Sequence, residues 1–377
     1  MTPAMAANPQ PVYKSMRQGA PVMRLGPMVA VSRRSDIEEV LKCPATYSSH
    51  MSAVELGNVR PLIPLQIDAP DHVKFRRLLD PLFAPRQMAA LEPSVVALVN
   101  ELIDRFVGRG SVDLVSEFTI PLPSEVFLTL LGLPLDHLPR LLAMKDGIIR
   151  PPGSTAEEKA AIRASTSDSI YRYFTEVLAE RRSEPRPDLL SRFLAAECDG
   201  VKLSTEDILD ICWLFLIAGL DTVSASLECF FAHLAQHPAG RRQIVSDPSC
   251  IPGAVEELLR WESPVSGVAR VAVEATDLAG TKIEAGDQVF ALIGSANTDE
   301  TEFPDADVVD FDRETNRHLA FGAGIHRCLG SHLARLELRV ALREFHARIP
   351  EYQLAPDTEL SYTPGIRSID RLPLVFN

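Results

Sequence analysis

The chain has 377 residues, of which 46% are hydrophobic and only 6% aromatic, and its formal charge is -13 at neutral pH. That acidity excludes a general nucleic-acid binder, since phosphate would be repelled, and the low aromatic content means that aliphatic side chains must fill most of the core. The N-terminal stretch MTPAMAANPQPVYKSMRQGAPV has no continuous apolar region, and the longest apolar run, 208–220, is interrupted by Asp210 and followed by Asp221. Neither a secretory signal nor a membrane span is expected, and the chain reads as cytoplasmic.

Residues 1–20 carry little pattern and are expected to be irregular. Residues 21–31 form a short β-type run between turn residues, a predicted strand region. Residues 86–106 and 167–182 repeat apolar positions at intervals of three and four, the helical period. Thr205–Gln236 is apolar nearly all round, which predicts a helix buried in the middle of the fold. The runs 268–280 and 287–297 again predict strands. Residues 328–349 read as a long amphipathic helix with Arg and Glu on its polar face. Prolines, 29 in all, punctuate the helix starts and ends. The expected architecture is mainly α with small β-sheets. No linker rich in Gly or Ser divides it, so a single domain over 1–377 is expected.

The six cysteines are Cys43, Cys198, Cys212, Cys229, Cys250 and Cys328. None form a CxxC pair or a zinc-type spacing, so thiols in a reducing compartment are the simplest reading. Cys212 and Cys229 fall in apolar helical sequence, where a thiol acts as a small hydrophobe. Cys328 differs. It ends the run Phe321-Gly322-Ala323-Gly324-Ile325-His326-Arg327-Cys328-Leu329-Gly330. Glycines there let the backbone turn tightly, and a helix beginning at Cys328 would favour a thiolate at its positive end. Phe321 could shield the sulfur from water. Such features suit a thiolate that ligates a metal.

Three further groupings stand out. Glu257 and Arg260 are three apart on one helix face and can pair. In Ala218-Gly219-Leu220-Asp221-Thr222, an acid inside an apolar helix is costly without a partner or a function. Gly219 weakens the helix there, and a Thr hydroxyl can bond the carbonyl four residues back, so a local groove is expected. In residues 68–77, His72 and Arg76 share one helix face.

Residues 321–330 resemble the haem loop of the cytochromes P-450, Phe-Gly-x-Gly-x-His/Arg-x-Cys-x-Gly, at every fixed position. The resemblance implies that fold, with haem b between the long central helix and the helix of the cysteine loop. It makes Cys328 the axial iron ligand, cradled by Phe321, Gly322 and Gly330. It makes His72, Arg76, Arg270 and His326 the partners of the haem propionates. Glu257 and Arg260 match the family's buried structural pair, with Arg313 and His318 both open as its third member. Asp221 and Thr222 match the oxygen-activation motif, Asp221 relaying protons and Thr222 facing the bound oxygen. The implied activity is a monooxygenase that hydroxylates or epoxidises a hydrophobic small molecule, acting as a monomer. Its electrons come from NAD(P)H through a reductase and a separate ferredoxin or flavodoxin, docked by Lys74, Arg77 and Arg327. Expected pocket walls include 45–66, 145–155, Phe215, Ala218, 265–268 and 365–366. Arg150 or Arg367 could meet a substrate carboxylate, though a solvated surface Arg is the plainer reading. A haem-thiolate peroxygenase or isomerase, a non-catalytic haem protein and a haem-free helical scaffold are the competing readings.

Overall fold

The computed structural model describes residues 3–198 and 200–377. Helices dominate, as the periodicity predicts. Contacts group the chain into two compact units, one from residues 1–47, 83–122 and 222–377, the other from 48–82 and 123–221.

The larger unit holds most of the β structure. Val22–Leu25 and Met28–Val31 form an antiparallel hairpin. Gln288–Ala291 adds in parallel to Met28–Val31, and Val268–Ala272 pairs antiparallel beyond it. Tyr47–Ser48 completes a five-stranded sheet. The run 287–297 is therefore only half strand, because Ile293–Ala296 turns into a short buried helix. Residues 1 and 2 lie outside the described residues. The rest of the segment expected to be irregular is helical, at Pro3–Ala7 and Gln10–Gly19. Tertiary contacts order it where local pattern is weak. Tyr13 is buried, and the buried Arg17 donates to the carbonyls of Ser295 at 3.1 Å and Thr298 at 2.7 Å and pairs with Glu300 at 2.7 Å.

The run 86–106 is two helices, Pro85–Ala89 and Glu92–Asp104, with Pro93 in the first turn of the second. Glu92–Asp104 packs on Ser331–Arg348. A second sheet joins Ser111–Asp113, Tyr352–Leu354 and the C-terminal Pro373–Phe376. Between these elements sits an aromatic core. Phe231 of the central helix lies 4.6 Å from the Phe345 ring and 5.9 Å from Phe118, and Phe345 lies 5.5 Å from Tyr352. Edge-to-face and tilted pairs of this kind add to the stabilisation from buried area.

The smaller unit is helical. Ala156–Ser183, longer than the 167–182 pattern, starts at a capping box in which Thr155 and Glu158 satisfy each other's amides. Its buried Arg181 pairs with Asp188 at 2.6 Å. Asp71–Leu79, Leu138–Ile149 and Leu189–Ala195 lie in it too, with a short antiparallel pair, Glu197–Cys198 and Val201–Lys202.

Thr205–Gln236 runs unbroken over the predicted span and contributes to both units. By length and composition it could cross a membrane, but 78% of its most apolar window is buried in the protein, as in a core helix. Each buried acid on it has a partner. Asp210 accepts from Arg60 at 2.9 Å and Tyr171 at 2.9 Å, and Glu228 accepts from the Ile369 amide at 2.8 Å.

Candidate active site

The cysteine loop is a tight backbone device. The Cys328 amide donates to the Phe321 carbonyl at 2.8 Å, and the Gly322 amide donates to Leu319 at 2.7 Å. Phe321 and Cys328 are thus the tied ends of one loop. Gly324 sits at φ +67°, and a Cβ there would stand 2.3 Å from the Leu41 carbonyl oxygen, so both conformation and space demand glycine. The long helix begins at Ser331 with Gly330 as its cap, not at Cys328 as expected. The Cys328 amide closes the loop, and the helix starts three residues later. Its thiol is exposed, whereas Cys212 and Cys229 are fully enclosed and burial pushes both thiols far up. Among the described residues the cysteines at 43, 212, 229, 250 and 328 are in no disulfide, and the Cys198 side chain lies outside the described residues.

Glu257 and Arg260 are completely buried and bidentate, at 2.8 and 2.7 Å. The remaining Arg260 donors reach the carbonyls of Asn297, Ala306 and Val308 at 2.9, 3.0 and 2.9 Å, so all five N–H groups are used. Arg313 is the third member, its Nε 3.1 Å from Glu257, and Asn316 adds a donor at 2.9 Å. Burial alone would raise the Glu257 carboxyl, but Arg260, the Asp310 amide and Arg313 hold it below the usual range. His318 instead binds Glu256 at 3.0 Å. Asn297 extends the cluster by accepting from the Leu319 amide at 2.6 Å, two residues before Phe321. The pair therefore locks the segment that leads into the cysteine loop.

On the central helix, Ala218 is exposed and Gly219 and Thr222 are half-buried, an open strip on a helix otherwise enclosed. Asp221 is buried and accepts from Lys145 at 3.1 Å and from Arg150 at 2.7 and 3.1 Å. Sequence reasoning missed Lys145, and it read Arg150 as a solvated surface group or a substrate contact. The helix is not broken at Gly219, and a Cβ there would lie 2.5 Å from the Phe127 ring, so close packing of that ring requires the glycine. Arg367 is likewise internal, buried and paired with Glu262.

His72 is buried on Asp71–Leu79, and burial together with neighbouring Arg76 lowers its imidazole pKa. Arg76 pairs with Asp80 at 2.7 Å. In the larger unit Arg270 is buried in strand Val268–Ala272, and His326 ends the 3-10 turn Gly324–His326. A haem needs a reachable thiol on a glycine turn, cationic partners for its propionates and an open strip on a buried helix. The chemistry of these side chains fits it.

The family model for cytochrome P450 matches residues 133–246 and 251–355. The chain belongs to the cytochrome P450 family. It is similar to the putative cytochrome P450 YjiB of Bacillus subtilis, at 34% identity covering 96% of this chain and 93% of that one. Mycinamicin IV hydroxylase/epoxidase of Micromonospora griseorubida is 35% identical over 97% of this chain and 94% of its own. Among solved structures, CYP109E1 from Bacillus megaterium in complex with testosterone superposes at TM-score 0.94, with 30% identity and full coverage of both chains. The chain is thus a P450 monooxygenase of bacterial type, an oxidoreductase whose cofactor is haem.

Proposed function

We propose that Cys328 is the axial thiolate of a monooxygenase acting on a hydrophobic small molecule, with electrons delivered by a separate ferredoxin-type partner. The observation that carries this is the exposed Cys328 thiol on a loop closed by its own amide. Haem, when bound, supplies dioxygen activation and transfer of one oxygen atom to a C–H or C=C bond. The chain's residues do the rest. Phe321, Gly322 and Gly330 shape the loop around the sulfur. His72, Arg76, Arg270 and His326 are the donors for the propionates, whose burial demands cationic partners.

Thr222, on the open strip of the central helix, would hold a proton donor toward the oxygen. Asp221 precedes it but is turned toward Lys145 and Arg150. Proton delivery therefore requires that carboxylate to swing from its two cations toward Thr222, and the cations draw it back afterwards.

Apolar residues around the expected walls, Phe215 and the Val265–Ile366 bridge among them, support a hydrophobic or amphiphilic substrate. The mycinamicin relative and the testosterone-bound neighbour accord with that class without naming this chain's own compound. Arg77 and Arg327 are exposed and support docking of an acidic carrier despite the net charge. Reversing both charges should slow reduction and flatten its salt dependence, and an unchanged rate would discard the docking site. The same reading takes NAD(P)H as the electron source, a monomer as the working form and the cytoplasm as its place.

The central test is the ferrous–carbon monoxide spectrum. The wild type should show the red-shifted thiolate band, and Cys328→Ala should lose it. A band that survives the substitution ends the assignment.

A further inference from the structure

Phe321, the residue whose carbonyl ties down the Cys328 amide, is framed by groups outside the loop. The Arg335 guanidinium lies 4.4 Å from the centre of its ring. The His318 ring lies 5.9 Å away on a tilted approach. Both framing groups are held by one carboxylate. Arg335 grips Glu256 through Nε at 2.7 Å and a terminal nitrogen at 2.6 Å, and His318 Nε2 is 3.0 Å from the same side chain. The Ala320 amide donates to His318 Nδ1 at 3.1 Å, so Nε2 carries the hydrogen given to Glu256. Burial would raise the Glu256 carboxyl, but these donors hold it at about 2, so it stays an anion.

We infer that Arg335 is a positioning residue for the thiolate loop: its cation, stacked on Phe321 and anchored by Glu256, sets the electrostatic environment of Cys328. This rests on the assignment of Cys328 as ligand. The three side chains come from separate segments, the helix Ile251–Glu262, the stretch before the loop and the helix Ser331–Arg348. Arg335 and His318 frame the ring of the residue whose carbonyl closes the loop, and Glu256 holds both. A guanidinium over an aromatic face is attracted by the ring quadrupole, and the bidentate grip fixes it there.

The sign of the effect follows from charge. The ferrous state of the thiolate site is one unit more negative than the ferric state. A fixed cation nearby favours reduction, and an uncompensated anion opposes it.

The experiment is a spectroelectrochemical titration of the holoprotein and three variants, Arg335→Leu, Arg335→Lys and Glu256→Gln. Arg335→Leu deletes the cation and leaves Glu256 alone. It should change the ferric/ferrous ratio at fixed potential about three- to tenfold toward ferric, a downward shift of about 30–60 mV for one electron. Glu256→Gln should shift the potential upward. Arg335→Lys, which keeps the charge, should stay near the wild type. Arg335→Leu should also convert from the thiolate-type carbon monoxide band to the blue-shifted form faster than the wild type, because Phe321 loses one side of its frame. Potentials that coincide in all four proteins, or shifts of one sign in both charge-changing variants, overturn the inference. Should Arg335→Leu fail to hold haem, the opposite displacement of Glu256→Gln and the constancy of Arg335→Lys decide it. A wild type without the thiolate band overturns it together with the Cys328 assignment, an outcome distinct from a normal band with unmoved potentials.

Discussion

Replacing Glu337 with Gln should change how stability depends on pH. Glu337 lies on the helix after the cysteine loop, is 2% exposed, and its Oε2 has no hydrogen-bond partner. Burial alone pushes its carboxyl up to about 8, from an ordinary value of 4.5. A neutral acid thus sits in the core at physiological pH, and unfolding releases its proton to water. Between those two values the folded state binds a proton that the unfolded state does not, so rising pH favours unfolding. Each pH unit in that window is worth about 1.4 kcal/mol. From about pH 5.5 to about pH 7.5 the wild type should lose about 3 kcal/mol through this group. The loss should level off above pH 8, where both states are ionised. The amide of Glu337→Gln never ionises, so whatever fixed cost it carries is independent of pH. Urea unfolding of both proteins at several pH values measures the gap, read from midpoints at matched slopes. The variant should gain steadily on the wild type as pH rises. A gap that stays constant would mean the carboxyl is hydrogen-bonded or hydrated in solution, and the reasoning would be wrong.

Gly219→Ala should destabilise the protein by about 1–3 kcal/mol, since the added methyl overlaps a packed ring, and the thermal midpoint should fall accordingly. Adding Phe127→Leu should recover part of that loss by vacating the contact at 2.5 Å. No recovery would show that the ring contact is not the source of the cost, since Ala is the better helix former. Asp221→Asn should slow product formation by roughly a hundredfold or more, as expected for loss of a positioned proton donor. Substrate-induced spectral shifts should persist. Equal rates in the two proteins would assign Asp221 a structural role with Lys145 and Arg150.

The two kinds of local pattern were legible to different depths. Thr205–Gln236 could be delimited because apolar residues cover every face, and Cys328 could be singled out because its glycines and Phe321 lie within ten positions. Both signals are local. The partners of Asp221 could not be read, because Lys145 and Arg150 reach it across 76 and 71 positions of chain. Choosing Arg313 over His318 for Glu257 required the same kind of information. Helical spacing put Glu256 and Glu257 side by side, but only the fold decides that one faces Arg260 and Arg313 and its neighbour faces His318 and Arg335. Two adjacent acids on one helix thus serve two different structures, the buried anchor and the frame of Phe321. The N-terminal helices were missed for a related reason. Their order depends on Arg17, whose partners lie near residue 300. Periodicity reports the face a helix buries, and a short motif reports a turn. Neither reports which distant carboxylate will meet a given arginine, and in this chain that pairing governs Asp221, Glu262, Glu257 and Glu256 alike.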